Sequence, residues 1–190
     1  MQHYQNGRFF EAETLATTIT KEFPLHQFAW KILGAVFKST GRINESITFM
    51  HKSVQINPKD AEAHNNLGVS LQELGKFDQA EVSFTKAINL EPNYIEAHSN
   101  LGNTYKDQGN FDKAIIAYDK AISINPHYAE AHYNIGHTYK LLGKLDKAIE
   151  SYTKAIELNV NYAEAYNNLG NVFFEKGKTN ESIEAYKNSI

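Results

Sequence analysis

The stretch EAHNNLG, Glu62 to Gly68, decides the fold because the chain writes it three times more. EAHSNLG spans Glu96 to Gly102, EAHYNIG spans Glu130 to Gly136, and EAYNNLG spans Glu164 to Gly170, each 34 residues after the last. The punctuation residues outside the heptad keep the same period. The four prolines are Pro24, Pro58, Pro92 and Pro126. The eleven glycines form two series, one of Gly7, Gly41, Gly75, Gly109, Gly143 and Gly177, the other of Gly34, Gly68, Gly102, Gly136 and Gly170. No glycine or proline falls outside the pattern. A fixed period of this kind marks a repeat architecture.

With Ala61 as the first position, four units are complete: 27–60, 61–94, 95–128 and 129–162. Residues 1–26 read as the end of a preceding unit and 163–190 as the start of a following one, so 1–190 is expected to be a single array and a piece of a longer protein. Each unit reads as two helices. Ala63, Leu67, Leu71 and Leu74 take the three-four spacing of an amphipathic helix. Gly75 suits a left-handed cap. A second helix is expected over Phe77 to Leu90, with Ala80, Phe84, Ala87 and Ile88 inward and Pro92 blocking its continuation. The glycine at position eight stands mid-helix, at a cost of about 1 kcal/mol relative to alanine. Its recurrence implies a close helix approach, and Ala80, Ala114 and Ala148 are expected to meet it. Leu71, Tyr105, Tyr139 and Phe173, with Phe84, Tyr118, Tyr152 and Tyr186, are expected to fill the core.

Composition narrows the function. The chain is 42% hydrophobic and 22% charged, neither disordered nor membrane-embedded in character. The N-terminal stretch shows no secretory signal pattern, and a cytoplasmic location is the expectation. Without cysteine there is no disulfide and no thiolate ligand or nucleophile. A net charge of -3 with two arginines disfavours nucleic acid. His64, His98 and His132 repeat at the same period. Packed helices lie about 8–10 Å apart, too far for one metal to be shared. No G-x-S-x-G, Walker loop or G-x-G-x-x-G occurs, so no catalytic role, metal or cofactor is expected.

The pattern A-E-A-H-x-N-L-G-x-x-Y, then G-x-F/L-D-x-A-I-x-x-Y-x-K-A-I-x-x-N-P, resembles the tetratricopeptide repeat (TPR) over nearly the whole chain. The resemblance implies an all-α protein, an α-solenoid of stacked helix–turn–helix TPR units in a right-handed superhelix whose first helices line the inner wall. The unit 27–60 departs most, at Trp30, Ile32, Ser46 and Ser53, and Val160 stands where a proline is expected.

Positions 2, 6, 9 and 13 of the first helix form one stripe, expected to face the groove. Position six is Asn66, Asn100, Asn134 and Asn168; Asn65, Tyr133, Asn103, His137 and Asn171 lie beside it at positions five and nine. Asparagine is a mediocre helix former, but its amide both donates and accepts, as a peptide backbone requires. Helices about 8–10 Å apart match roughly every third residue of an extended segment rising about 3.3 Å per residue. These residues are therefore candidates to hold an extended protein or peptide segment. Bonding to the neighbouring helix or to water is the alternative for the same amides. The asparagine row also resembles the repeat superhelix of the O-linked N-acetylglucosamine transferase-like proteins, whose row holds substrates by their backbones. That implies the arm of a larger glycosyltransferase whose catalytic domain is not in these residues. A third expectation is a self-assembling array joined through Phe173, Phe174, Ile183 and Ile190. A carboxylate clamp for peptide C-termini is excluded: only Lys31 and Asn66 fit its pattern, whereas Ala35, Glu96 and Asn100 do not.

Overall fold

The period of the sequence becomes helix pairs in the computed structural model, which describes residues 2–189. In chain order the helices are α1 (Gln2–Gln5), α2 (Phe9–Glu22), α3 (Gln27–Ser39), α4 (Ile43–Ile56), α5 (Ala61–Glu73) and α6 (Phe77–Leu90). Then follow α7 (Ile95–Asp107), α8 (Phe111–Ile124), α9 (Ala129–Leu141), α10 (Leu145–Leu158), α11 (Ala163–Glu175) and α12 (Thr179–Lys187). The described residues contain no strand, so the fold is all-α and of the solenoid kind. The helices gather into two compact units, 1–97 and 98–190. In the first, Ala12, Ala16, Ile32, Leu33, Val36 and Phe37 build one core cluster. In the second, Ala148, Tyr152, Leu169, Val172 and Ala185 do the same.

The turn between paired helices is set by glycine. Gly75 adopts φ 69°, a region closed to most side chains. Its N–H bonds the Gln72 carbonyl at 2.8 Å, and that of Lys76 reaches back to Leu71 at 2.9 Å, which satisfies two carbonyls the helix would otherwise orphan.

The second glycine series works differently from expectation. Ala80, Ala114 and Ala148 are fully buried, but they are not what fills the space over the bare Cα. A Cβ on Gly68 would stand 2.7 Å from the Phe84 ring, on Gly102 2.5 Å from Tyr118, on Gly136 2.8 Å from Tyr152 and on Gly170 2.7 Å from Tyr186. The aromatic at position 24 packs against the bare glycine, and Met50 does the same at Gly34. Where position 20 carries serine instead of alanine, the hydroxyl uses the nearby glycine carbonyl: Ser46 bonds Gly34 at 2.8 Å and Ser182 bonds Gly170 at 2.9 Å.

Helix ends are also revised. The α10 helix stops in the same register as its siblings although Val160 replaces proline. An asparagine turn accounts for this: the Asn159 side chain accepts from the Asn161 N–H at 3.2 Å, as Asn57 does from Lys59 and Asn125 from His127. Proline reinforces the stop without being required for it. The histidine ladder finds its use here too. The ring Nε2 of His64 lies 3.0 Å from the Pro58 carbonyl and that of His132 lies 3.3 Å from Pro126, while the Trp30 indole donates to Pro24 at 2.9 Å. Position four thus pins the loop that enters its helix.

Gly102→Ala tests the ring-on-glycine contact. Alanine brings about 1 kcal/mol of helix propensity but overpacks the Tyr118 ring, which costs about 1–3 kcal/mol. Urea denaturation should show a net loss of stability; a gain would mean that the ring can yield.

Candidate peptide-binding face

The nine candidate residues all lie on first helices, but the structure gives them different duties. At position six, Asn66 on α5 is half-buried and lines a recess of about 200 Å³ with Phe28, Lys31, Ile32 and Glu62. Its amide makes no hydrogen bond among the described residues, and the same holds for Asn134 on α9. Asn134 exposes only 6% of its surface, yet its amide atoms are not sealed from solvent. Asn100 on α7 is engaged within the protein. Asn168 on α11 donates to the Tyr133 hydroxyl at 2.8 Å, so half of its amide is spent on the neighbouring helix. The ladder is chemically uneven: Asn66 and Asn134 keep free capacity that Asn168 has partly used.

Position five splits likewise. Asn65 exposes 6% and is engaged within the protein, which places it in the packing between helices instead of on an open wall. Tyr133 is half-buried, its ring 5.0 Å from that of Tyr162 and 5.7 Å from that of Tyr152. Burial, followed by the charge of Glu164, raises its hydroxyl above the usual tyrosine range, so it stays protonated and able to hold Asn168.

Position nine has an unforeseen logic. Tyr118 donates to the Asn103 side-chain oxygen at 2.7 Å, and Tyr186 donates to that of Asn171 at 2.8 Å. A tyrosine packed on its glycine carries its hydroxyl to the residue that follows that glycine, position nine, which answers it. In the units whose position 24 lacks a hydroxyl, position nine lacks a polar group: Ala35 goes with Met50, and Val69 with Phe84. The asparagine oxygens at position nine are therefore spent on tyrosine, and Asn103 keeps only its NH₂ for other use. The Asn171 NH₂ turns to Asn167 at 3.3 Å. This pairing was visible in the sequence as a correlation between positions nine and 24, but only contact shows its cause.

One unit breaks the pairing. His137 replaces asparagine opposite Tyr152, and the Tyr152 hydroxyl, on a side chain 0% exposed, is left without a hydrogen-bond partner. Burial, with Lys106 and Lys140 adding like charge, holds His137 below the ordinary histidine range and hence neutral near pH 7.

A helix-pair repeat of this period, with a polar stripe on its first helices, is the class of protein that mediates protein–protein interaction. The sequence matches the tetratricopeptide repeat at 61–94 and 83–116 and TPR repeat at 102–143 and 136–177. These matches run through more than half of the chain, which belongs to the TPR family. No curated protein matches it. Among solved structures it is similar to MamA at 29% identity, over 83% of this chain and 92% of that one, with a TM-score of 0.72. It shares the fold of PilW, a widely conserved type IV pilus biogenesis factor, at 20% identity over 97% and 86% of the two chains, TM-score 0.89. It also shares the fold of YrrB, a TPR protein with an unusual peptide-binding site, at 18% identity over 92% and 90%, TM-score 0.68. Among the described residues, no helix is long and apolar enough to cross a membrane.

The position-nine pairing makes two tyrosines that look equivalent behave differently. Tyr118→Phe deletes a made hydrogen bond and is expected to cost about 0.5–1.5 kcal/mol. Tyr152→Phe removes an unpaired buried hydroxyl and should leave stability unchanged or raise it. Parallel denaturation curves decide the matter; equal losses would show that the hydroxyls share one environment.

Proposed function

We propose that the chain is a protein-interaction module that holds an extended peptide segment against its first helices, with no chemistry of its own. The observation that supports this most directly is the uncommitted amide of Asn134, together with the free NH₂ of Asn103 on α7. Such groups pair with both halves of a peptide unit and ignore the side chain, so the module would tolerate many sequences. The first unit offers the same chemistry at Asn66, in a recess next to Lys31. Lys31 there is bound by Asp60 at 3.2 Å and by Glu62, which leaves the amide as the open polar group.

The same row carries the likeness to the transferase superhelices, and on that reading the module would present a protein substrate to a catalytic domain elsewhere. The two readings share one mechanism of capture. They differ only in what is done to the captured segment.

The test is a peptide-array screen of wild type against the Asn66→Ala, Asn134→Ala double variant, which removes the two uncommitted amides. Loss of the two amides should weaken binding by about tenfold or more across unrelated sequences, at roughly 1 kcal/mol per hydrogen bond. Undiminished binding by the variant would remove the amides from the mechanism.

A further inference from the structure

The stack carries a second regular pairing, between positions 12 and 13 of successive units. Lys38 on α3 bridges Glu73 on α5 at 3.1 Å, and Lys140 on α9 bridges Glu175 on α11 at 3.2 Å. The rule predicts that Lys106 on α7 should bridge residue 141, but that residue is Leu141, 52% exposed. Lys106 has no ion-pair partner among the described residues.

Two acceptors are thus missing from one place. Position nine supplies an asparagine oxygen to Tyr118 and Tyr186 but His137 to Tyr152. Position 13 supplies a glutamate to Lys38 and Lys140 but Leu141 to Lys106. His137 and Leu141 are four residues apart on α9, on one face and one turn from each other. Lys106 is near enough to His137 to press on its proton affinity. The carboxylates that face this spot are accounted for: Asp107 is engaged within the protein, and Glu175 is held by Lys140. Glu130, which would repel an anion, stands seven residues up the helix from His137 and eleven from Leu141, about 10 Å and about 16 Å away at about 1.5 Å per residue.

From these two coincident vacancies we infer that the face of α9 around His137 and Leu141 is a subsite for an acidic side chain of the bound segment. The carboxylate of an aspartate or glutamate supplies both absent acceptors. One oxygen takes the Lys106 ammonium; the other takes the Tyr152 hydroxyl once the His137 ring turns aside. The subsite rests on the peptide-binding reading and adds sequence preference to it: the amides hold any backbone, and this unit selects an acid at one place along it.

The experiment is selection of displayed random peptides on three immobilised proteins: wild type, Leu141→Glu and Tyr152→Phe. Leu141→Glu restores the glutamate that the sibling units carry, and Tyr152→Phe installs the residue found at Phe84, so both should fold; circular dichroism verifies this. Wild type should enrich Asp or Glu over Asn or Gln at one peptide position by about tenfold, the worth of one charge-assisted hydrogen bond. Leu141→Glu should abolish the preference while still capturing peptides, and Tyr152→Phe should reduce it severalfold. Captured peptides with no acidic position, or a preference unchanged in Leu141→Glu, would overturn the subsite and leave the groove standing. A preference unaffected in Tyr152→Phe would remove the hydroxyl from the site. If nothing is captured by any of the three, the groove falls together with the subsite.

Discussion

An aromatic ring packed against a glycine Cα is the contact on which this protein depends. Phe84 on Gly68, Tyr118 on Gly102, Tyr152 on Gly136 and Tyr186 on Gly170 come so close that a Cβ at position eight would stand 2.5–2.8 Å from the ring. The arrangement accepts a helix-weakening residue in exchange for burying a large apolar surface, and aromatic burial outweighs the lost propensity of about 1 kcal/mol. Everything on the polar stripe inherits its position from that contact. Because the ring is fixed on the glycine, its hydroxyl emerges at one defined point on the first helix. The residue at position nine must then either accept from it, as Asn103 and Asn171 do, or leave it bare.

This makes the first helices both core and candidate binding surface. Asn168 helps to hold Tyr133, whereas Asn134 keeps its amide for something else. The same stripe cross-links successive units through Lys38 and Glu73 and through Lys140 and Glu175. Surface ion pairs of this kind contribute little to stability, about 0–1 kcal/mol each. Their regularity is informative for another reason: it exposes the place, with Lys106 on α7 and His137 and Leu141 on α9, where the regular partners are missing.

Much of the fold was legible because repetition turns weak local signals into a strong one. Gly75 as a turn residue and the bounds of α6 both follow from the period. Other features escaped for identifiable physical reasons. The partner of the bare glycine was taken to be alanine because small residues suggest close approach, yet an aromatic ring approaches just as closely. The stop of the second helix was assigned to proline, as at Pro92, yet α10 stops in the same register with Val160; the asparagine turn at Asn159 escaped notice because it is a side-chain hydrogen bond with no periodic apolar signature. Ile190, one of the apolar residues expected at an open end, lies outside the described residues; Phe174 and Ile183 are exposed at 68% and 48%.

The sequence by itself determined the period, the helix pairs, the turn glycines and the stripe on which the asparagines fall, since all of these are one-dimensional patterns imposed by helical geometry. Only the tertiary structure decided which amides on that stripe are already spent. Whether an asparagine side chain meets a tyrosine hydroxyl or solvent depends on where a ring from another helix comes to rest. That position is set by packing against a glycine sixteen residues away, a relation no local pattern records.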